Sequence, residues 1–308
     1  MTELKNWLNQ QQHVLIDSSM STGLEERGLN LNSKLWTAAA IESHPDLIVD
    51  VHKKYFDAGS SITTTNTYQA SVAGLTSNGY THDEAITLIQ KAVQLADDGR
   101  KQSSNPNPKW IAAGIGPYGA FLANGAEYTG DYDLSEEDYI EFHRERIETV
   151  IEAGADILLL ETLPNLNELK ALLNFVKPLT IPVIVALSLE DEHHLADGSD
   201  LADATELLEA SDNVIAYGLN CTHPNLVTPA LKYLIQNHPN HKPFIAFPNS
   251  GASYNPEIKE WNHDDLSFEE FDALIQEWFD LDLKYVGGCC CMTEAQEEHI
   301  HQHFFDKA

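Results

Sequence analysis

All four cysteines of the chain lie in two short segments, Cys221 after Asn220 and the run from Cys289 to Cys291 after Gly287-Gly288. Adjacent cysteines are poorly placed to pair with each other. Thiolates from two separate segments suit Zn²⁺, which prefers sulfur ligands. The paired CxxC spacings of structural zinc modules are missing. The pattern therefore predicts three thiolate ligands and an open fourth position, as in a catalytic zinc centre. The competing interpretation is that the cysteines are small buried residues of the core.

The charge balance limits the partners. The 308 residues include 48 acidic and 18 basic side chains, giving a formal net charge of -30. Such a field repels phosphate backbones and anionic membrane surfaces, so we expect neither a nucleic acid nor a membrane partner. The segment from Met1 to Gln12 is polar and carries no apolar targeting region. We therefore expect a cytoplasmic protein, a compartment that keeps clustered thiols reduced.

Apolar, β-branched runs alternate about eight times with longer segments of helical period. Eight such units predict an α/β fold, a single (β/α)₈ TIM barrel domain over residues 1–308. A doubly wound sheet is the alternative, but no GxGxxG follows the first strand. The predicted strands are His13 to Asp17, Ser60 to Thr65, Trp110 to Ile115, Ile157 to Glu161, Val183 to Leu187, Val214 to Leu219, Phe244 to Phe247 and Tyr285 to Gly288.

Unusual polar residues stand at the carboxyl ends of these strands, the face on which TIM barrels build active sites. Adjacent side chains of a regular strand point to opposite faces, so neighbouring cysteines can share a site only where the strand breaks. Gly287 and Gly288 make such a break easy. The strand-end residues are Asp17, Thr65, Asn66, Glu161, Asn220, Cys221, Asn249, Cys289 and Cys290.

A family resemblance rests on eight stretches in a fixed order. The chain resembles the homocysteine S-methyltransferase family over nearly its whole length, and most of all the members that use S-methylmethionine or S-adenosylmethionine as methyl donor. The stretches are Leu35-Trp-Thr-Ala38, Thr64-Thr-Asn-Thr-Tyr-Gln-Ala70, Gly114-Ile-Gly-Pro-Tyr-Gly-Ala120, Glu127-Tyr-Thr-Gly-Asp-Tyr132, Glu161-Thr-Leu-Pro164, Gly218-Leu-Asn-Cys221, Pro248-Asn-Ser-Gly251 and Gly287-Gly-Cys-Cys290.

The resemblance implies a homocysteine-binding barrel that transfers a methyl group from a sulfonium donor to the thiol of L-homocysteine, giving methionine. It implies one Zn²⁺ held by Cys221, Cys289 and Cys290, with the substrate thiol as fourth ligand. It also implies that Asp17 and Glu161 hold the amino group of homocysteine. Further candidates for substrate binding are Thr65, Asn66, Asn220, Asn249 and Ser250, each of which could instead hold loop backbone.

Other interpretations remain open at this point. Paired carboxylates across a barrel mouth also occur in glycosidases, which need no thiolates. A zinc hydrolase would use the open position to activate water, and a non-catalytic zinc-binding barrel would use Cys291 as a fourth sulfur.

The sequence leaves the family pattern at two positions. Ser18 and Ser19 follow Asp17 where glycine is usual, and Cys291 replaces an arginine. Near the carboxyl end of the chain, His299, His301 and His303 alternate in a predicted helix. A spacing of two scatters side chains around a helix, so these three are not expected to share a metal.

Overall fold

The structure is a computed structural model that describes residues 2–255, 260–262 and 265–306, with side chains described in 3–252 and 265–306. Its strands are β1 Val14–Leu15, β2 Ile62–Thr64, β3 Trp110–Ile115, β4 Ile157–Leu163, β5 Val183–Leu187, β6 Val214–Asn220, β7 Phe244–Phe247, β8 Ser253–Asn255, β9 Glu260–Asn262 and β10 Leu283–Val286.

Eight of these strands form one parallel sheet in the order β1-β10-β7-β6-β5-β4-β3-β2. A parallel bridge between Ile16 and Ile62 joins the two ends of this order and closes the sheet into a barrel. The remaining two strands, β8 and β9, pair antiparallel with each other. The predicted TIM barrel is therefore confirmed, whereas the β8–β9 pair was not predicted.

The predicted strand positions agree with the structure apart from their ends. The first two strands are shorter than expected, and the last runs over Leu283–Val286 instead of Tyr285 to Gly288. Gly287 has already turned toward β1, and a Cβ atom there would lie 2.3 Å from Cγ1 of Ile16. Close packing against β1 therefore ends the strand early.

Helices surround the barrel, and several begin at the capping residues that their sequences predict. Ser135 accepts a hydrogen bond from the Asp138 amide, and Thr81 and Ser267 each form a capping box. The helices are α1 Thr2–Gln10, α2 Met20–Glu26, α3 Ala40–Ser43, α4 Pro45–Ala58, α5 Val72–Ser77, α6 His82–Gln102, α7 Tyr118–Leu122, α8 Glu136–Glu152, α9 Leu166–Val176, α10 Leu201–Glu209, α11 Pro224–Asn237, α12 Phe268–Asp280 and α13 Glu294–Ile300; 3₁₀ turns span Trp36–Ala39 and Ala126–Tyr128, and a π-helix spans His301–Phe305.

Two apolar clusters position the barrel mouth. Alternate residues of each strand face the barrel interior or the surrounding helices: in β4, Leu159 lies in the interior cluster and Leu158 in the outer one. Leu4 and Leu8 of α1 belong to the interior cluster, so α1 packs against the barrel interior. None of the described helices is long and apolar enough to cross a membrane.

Candidate functional site

Three cysteine sulfur atoms meet at the carboxyl ends of β6 and β10. The Sγ atoms of Cys221 and Cys290 are 3.6 Å apart, and those of Cys221, Cys289 and Cys290 all lie within 4.8 Å of one another. No disulfide joins any of the four cysteines, all of which lie in the described part of the chain. The structure thus brings together the three cysteines that the sequence analysis selected.

Backbone geometry explains how residues from two strands reach one point. Cys221 directly follows β6 with φ at +52°, a left-handed conformation that turns its side chain away from the line of the strand. Its amide donates to the carbonyl of Phe247 at 3.2 Å, and the Cys289 amide donates to the carbonyl of Pro248 at 2.8 Å. Both segments are therefore fixed to the end of β7, which lies between β6 and β10.

Gly287 and Gly288 serve close packing in this structure. A Cβ atom on Gly288 would lie 2.6 Å from Cγ of Met292 and 2.7 Å from Oγ of Ser18. Neither glycine has a positive φ. The expected need for a flexible break is thus met in another way, since these glycines let the cysteine segment lie directly against β1.

The three thiols have unequal acidity. The thiols of Cys289 and Cys290 stabilise the Cys221 thiolate by hydrogen bonding, and this lowers the pKa of Cys221 well below its ordinary value. The phenol of Tyr128 lies 3.3 Å from the same sulfur. With Cys221 ionised, the pKa values of Cys289 and Cys290 are raised. A divalent cation between the three sulfurs would offset this repulsion.

Asp17 follows β1 and is held rigidly. The Thr64 amide donates to Oδ2 of Asp17 at 2.7 Å, and the Thr64 hydroxyl donates to Oδ1 at 3.0 Å. Burial raises the pKa of Asp17 well above its ordinary value, although the Thr64 hydrogen bonds act in the opposite direction. The charges of Glu297 and Glu161 raise it further. A cation bound beside Asp17 would restore its ionised form.

Glu161 lies in β4 and makes no hydrogen bond to the described residues. Burial is the main cause that raises its pKa to about 8, and the Cys221 thiolate adds to the effect. Oε1 of Glu161 would lie 2.4 Å from a Cβ atom on Gly114. Glycine at position 114 therefore leaves the space that this carboxylate occupies.

A cavity of about 730 Å³ contains the sulfur atoms and both carboxylates. Its described lining includes four carboxylates, Asp17, Glu25, Glu127 and Glu161, and includes no lysine, arginine or histidine. Aromatic rings of Trp36, Tyr68 and Tyr128 complete the wall. The cavity thus has the charge and the aromatic faces that favour a cationic ligand.

Two lining residues, Glu127 and Tyr128, were not singled out as site residues from the sequence. They belong to the 3₁₀ turn after β3, and burial raises the pKa of Glu127 to about 7. Oε2 of Glu127 is buried without a hydrogen-bond partner among the described residues. The Glu127-to-Tyr132 stretch carries part of the family resemblance, but neither side chain stands at a predicted strand end, which was the signal used to choose site residues.

Asn220 connects the sulfur site to the carboxylate site. Its Oδ1 accepts a hydrogen bond from the Thr162 amide at 2.8 Å, and its Nδ2 donates to the Thr162 hydroxyl at 2.8 Å. Asn220 is fully buried. Because Thr162 follows Glu161 and Asn220 precedes Cys221, one side-chain amide sets the spacing between the two functional groups.

The other predicted site residues fall into two groups: some use their side chains in hydrogen bonds within the protein, and others keep a polar atom without a partner among the described residues. The Thr65 hydroxyl bonds that of Thr67 at 2.6 Å, and Ser250 donates to Asp265. Asn66 lines the cavity and donates to the Thr37 carbonyl, while its Oδ1 has no partner among the described residues. Oδ1 of Asn249 is likewise buried without a partner there.

Ser18 and Ser19 have separate structural roles. Ser18 donates to one carboxylate oxygen of Glu297, and Ser60 donates to the other. Glu297 belongs to α13 and is fully buried, and this burial raises its pKa to about 8. Ser19 caps α2 by accepting from the Thr22 amide. The serine after Asp17 therefore links the carboxylate site to the last helices.

Cys291 does not belong to the group of three sulfur atoms. Its φ of +64° places it in a left-handed turn after Cys290. Burial raises the pKa of its thiol to about 12, and Asp265 and Glu25 add to that shift. The Cys291 sulfur atom therefore lies apart from the three clustered ones, and this position excludes it from the group.

Comparisons with known proteins agree with this geometry. The model of the family described as homocysteine S-methyltransferase matches residues 14–304. The chain is 38% identical over 300 residues to Homocysteine S-methyltransferase YbgG of Bacillus subtilis (strain 168), with 94% of each protein covered. It is 37% identical over 297 residues to Homocysteine S-methyltransferase of Escherichia coli (strain K12), with 95% of each covered.

A solved structure extends the likeness to three dimensions. The metallated form of the homocysteine methyltransferase MmuM from Escherichia coli superposes with a TM-score of 0.87 at 34% identity, covering 97% of this chain and 99% of that one. The resemblance predicted from the sequence is confirmed. The chain belongs to the homocysteine S-methyltransferase family.

Proposed function

We propose that the protein transfers a methyl group from a sulfonium donor, S-methylmethionine or S-adenosylmethionine, to the thiol of L-homocysteine, giving methionine. The observation that carries the proposal is one cavity with three clustered sulfur atoms, two carboxylates at the strand ends and no basic side chain in its described lining. Each group matches one part of the two substrates.

Zinc is the proposed metal. Tetrahedral coordination with Zn–S bonds of about 2.3 Å places sulfur ligands roughly 3.8 Å apart. The 3.6 Å between Cys221 and Cys290 fits this spacing, and three soft sulfur donors suit Zn²⁺. Cys221, Cys289 and Cys290 would hold the ion. When bound, it would bind and deprotonate a substrate thiol, whose ordinary pKa is near 8.5.

Asp17 and Glu161 are the proposed ligands of the homocysteine ammonium group. Their pKa values are raised in the absence of a cation, so an ammonium group would be attracted by two carboxylates that otherwise lack a compensating charge. Thr64 keeps Asp17 in one orientation. Fixing the amino group in this way would orient the substrate thiol toward the cysteine cluster.

The acidic, aromatic cavity supports a cationic donor. A sulfonium carries its positive charge next to the methyl group that is transferred, and Glu127 with the ring of Tyr128 lies on the sulfur side of the cavity. The transfer is an in-line displacement in which the donor C–S bond breaks as the new S–CH₃ bond forms. The donor leaves as a neutral thioether. Positioning and electrostatics are therefore the main contributions of this chain.

The remaining predicted residues receive specific roles under this proposal. Asn66 lines the cavity with an unpartnered Oδ1 atom and is proposed to accept a hydrogen bond from a substrate. Asn249 is outside the described lining, and its assignment to substrate binding rests on its unpartnered Oδ1 atom alone. Thr65, Asn220 and Ser250 use their side chains within the protein and are proposed to position the loops that bind substrate.

The proposal extends to the whole chain and its setting. Residues 1–308 would act as one domain with small-molecule partners only. Four free thiols support a reducing, cytoplasmic location. The position of Cys291 outside the sulfur group weighs against a non-catalytic zinc-binding barrel, which would need Cys291 as a fourth ligand. Three thiolates also lower the Lewis acidity that a zinc hydrolase needs.

The test is direct. The zinc-loaded protein is incubated with L-homocysteine and, in separate reactions, with S-methylmethionine, S-adenosylmethionine or betaine, and methionine is quantified. We expect methionine with at least one sulfonium donor, and its loss in protein stripped of zinc. Betaine is the control cation without sulfur. No methionine from either sulfonium donor would refute the proposal.

A further inference from the structure

A second group of potential metal ligands lies outside the cavity, where the last helices pack against α12. Nε2 of His299 is 2.9 Å from Oδ2 of Asp272, and Nδ1 of His303 is 3.2 Å from the same oxygen. These three ligand atoms all lie within 4.8 Å of one another. Asp272 belongs to α12, His299 to α13 and His303 to the π-helix that follows it.

A spacing of two scatters His299, His301 and His303 around a helix, and on that ground the three were not expected to share a metal. That argument holds for His301, which lies against Gly59 instead. It does not apply to His299 and His303, which are four residues apart and therefore lie on the same face. Asp272, from an element distant in sequence, completes the group.

The donor atoms and their spacing fit a transition metal. Ligands at 2.0–2.1 Å in a tetrahedral site lie about 3.3 Å apart. The N···O distances of 2.9 and 3.2 Å in the cluster are close to that value. Two imidazoles and one carboxylate form a donor set that binds Zn²⁺ and similar ions, with remaining positions open to water.

The surroundings of Asp272 favour a bound cation. Its side chain is only 14% exposed, and its Oδ1 is buried without a hydrogen-bond partner among the described residues. The ring of Phe268 stacks on His299 at 4.5 Å and orients the imidazole. The His303 side chain is 49% exposed, so an ion can enter from solvent. The strongly acidic chain would also concentrate cations at its surface.

We propose that Asp272, His299 and His303 form a second divalent-metal site that binds Zn²⁺ and fastens the carboxyl-terminal helices to α12. The fastened helix α13 also carries Glu297, whose carboxylate bonds Ser18 beside Asp17. None of the three residues lines the cavity at the barrel mouth, and the role proposed for the site is structural. It is independent of the methyl transfer proposed above.

The experiment measures metal stoichiometry and thermal stability. Protein holding one equivalent of Zn²⁺ at the cysteines is dialysed against stoichiometric Zn²⁺, and bound metal is determined by elemental analysis. We expect two equivalents in the wild type and one in His303→Ala, whose half-exposed side chain can be removed without disturbing the core. Asp272→Asn, which keeps the shape of the side chain, should also bind one equivalent.

The matched control is His301→Ala, which removes an imidazole from the same segment but not from the proposed ligands. It should keep two equivalents. The second equivalent should raise Tm by a few degrees in the wild type and in His301→Ala, with no such rise in His303→Ala. A wild type that binds one equivalent, or a His303→Ala protein that binds two, would overturn the proposal, leaving a histidine–aspartate hydrogen-bond cluster.

Discussion

The mouth of the barrel has two sides with different donors. The sulfur side, at the ends of β6 and β10, offers polarisable thiols that repel one another when ionised. The carboxylate side, at the ends of β1 and β4, offers hard oxygen ligands whose pKa values are raised by burial. Each side is incomplete without positive charge. The difference teaches that, under the proposed function, ligand type would let one cavity select a soft metal ion and an ammonium group separately.

The largest effect is expected on the sulfur side. Cys289→Ser replaces a soft ligand with a poor one, and even changes next to metal ligands cost 10–100-fold in affinity or activity. We expect bound zinc to be lost and methionine formation to fall by more than about a hundredfold. Zinc content and turnover are measured on the same sample. Full zinc content in this variant would show that the ligand set is wrong.

Glu161→Gln tests the carboxylate side. Loss of one charged hydrogen bond of about 1.5–3 kcal/mol should raise KM for L-homocysteine roughly 10- to 150-fold, with zinc retained. The sharper measurement is the preference for homocysteine over its analogue without the amino group. This preference should fall in Glu161→Gln. An unchanged preference would remove Glu161 from the amino-group site.

Asp17 and Glu161 differ in the number of hydrogen bonds that they accept from the protein. Asp17 accepts two hydrogen bonds from Thr64, whereas Glu161 accepts none from the described residues. Asp17→Asn should therefore also disturb the β1–β2 contact and lower Tm, while Glu161→Gln should not. Equal effects of the two changes on Tm would contradict the unequal support seen in the structure.

A smaller, pH-dependent effect is expected from Glu297. Its pKa is raised from 4.5 to about 8 by burial, so the folded state binds more protons than the unfolded state between these values. This contribution is full below about pH 4.5 and is lost as pH rises through about 8, a change on the order of a few kcal/mol. Between pH 5.5 and 8.5, the free energy of unfolding should therefore fall less for Glu297→Gln than for the wild type.

Thermal unfolding at several pH values checks this prediction. The exposed neighbour Glu298 provides the matched control, and Glu298→Gln should follow the wild type. Parallel pH profiles for Glu297→Gln and the wild type would show that burial does not keep this carboxyl protonated.

The smallest effect is expected at Cys291. Its thiol is outside the sulfur group and has a pKa raised to about 12. Cys291→Ser should retain zinc and change turnover by less than about twofold. A loss of zinc from this variant would show that Cys291 is a zinc ligand and that the sulfur side of the mouth includes it.

Sequence patterns were sufficient for the barrel and for a cysteine cluster at its mouth, whereas the choice of Cys289 and Cys290 over Cys291 came from the family resemblance. Strand ends and a cysteine run after two glycines are visible without a structure. Glu297 was not predictable, since its partner Ser18 is distant in the chain and a helical glutamate ordinarily faces solvent. The contact between the Tyr128 hydroxyl and the Cys221 sulfur was not predictable for the same reason, since the two residues are 93 positions apart.

Asn220 has a thermodynamic consequence. Its amide bridges from β6 to Thr162 of β4, so an arrangement that suits Cys221 also fixes the backbone beside Glu161. Affinity changes transmitted through such a link must be equal in both directions. Metal that orders Cys221 would strengthen amine binding by some factor, and bound amine would strengthen metal binding by the same factor. The substrate would thereby protect the ion that its own thiol uses.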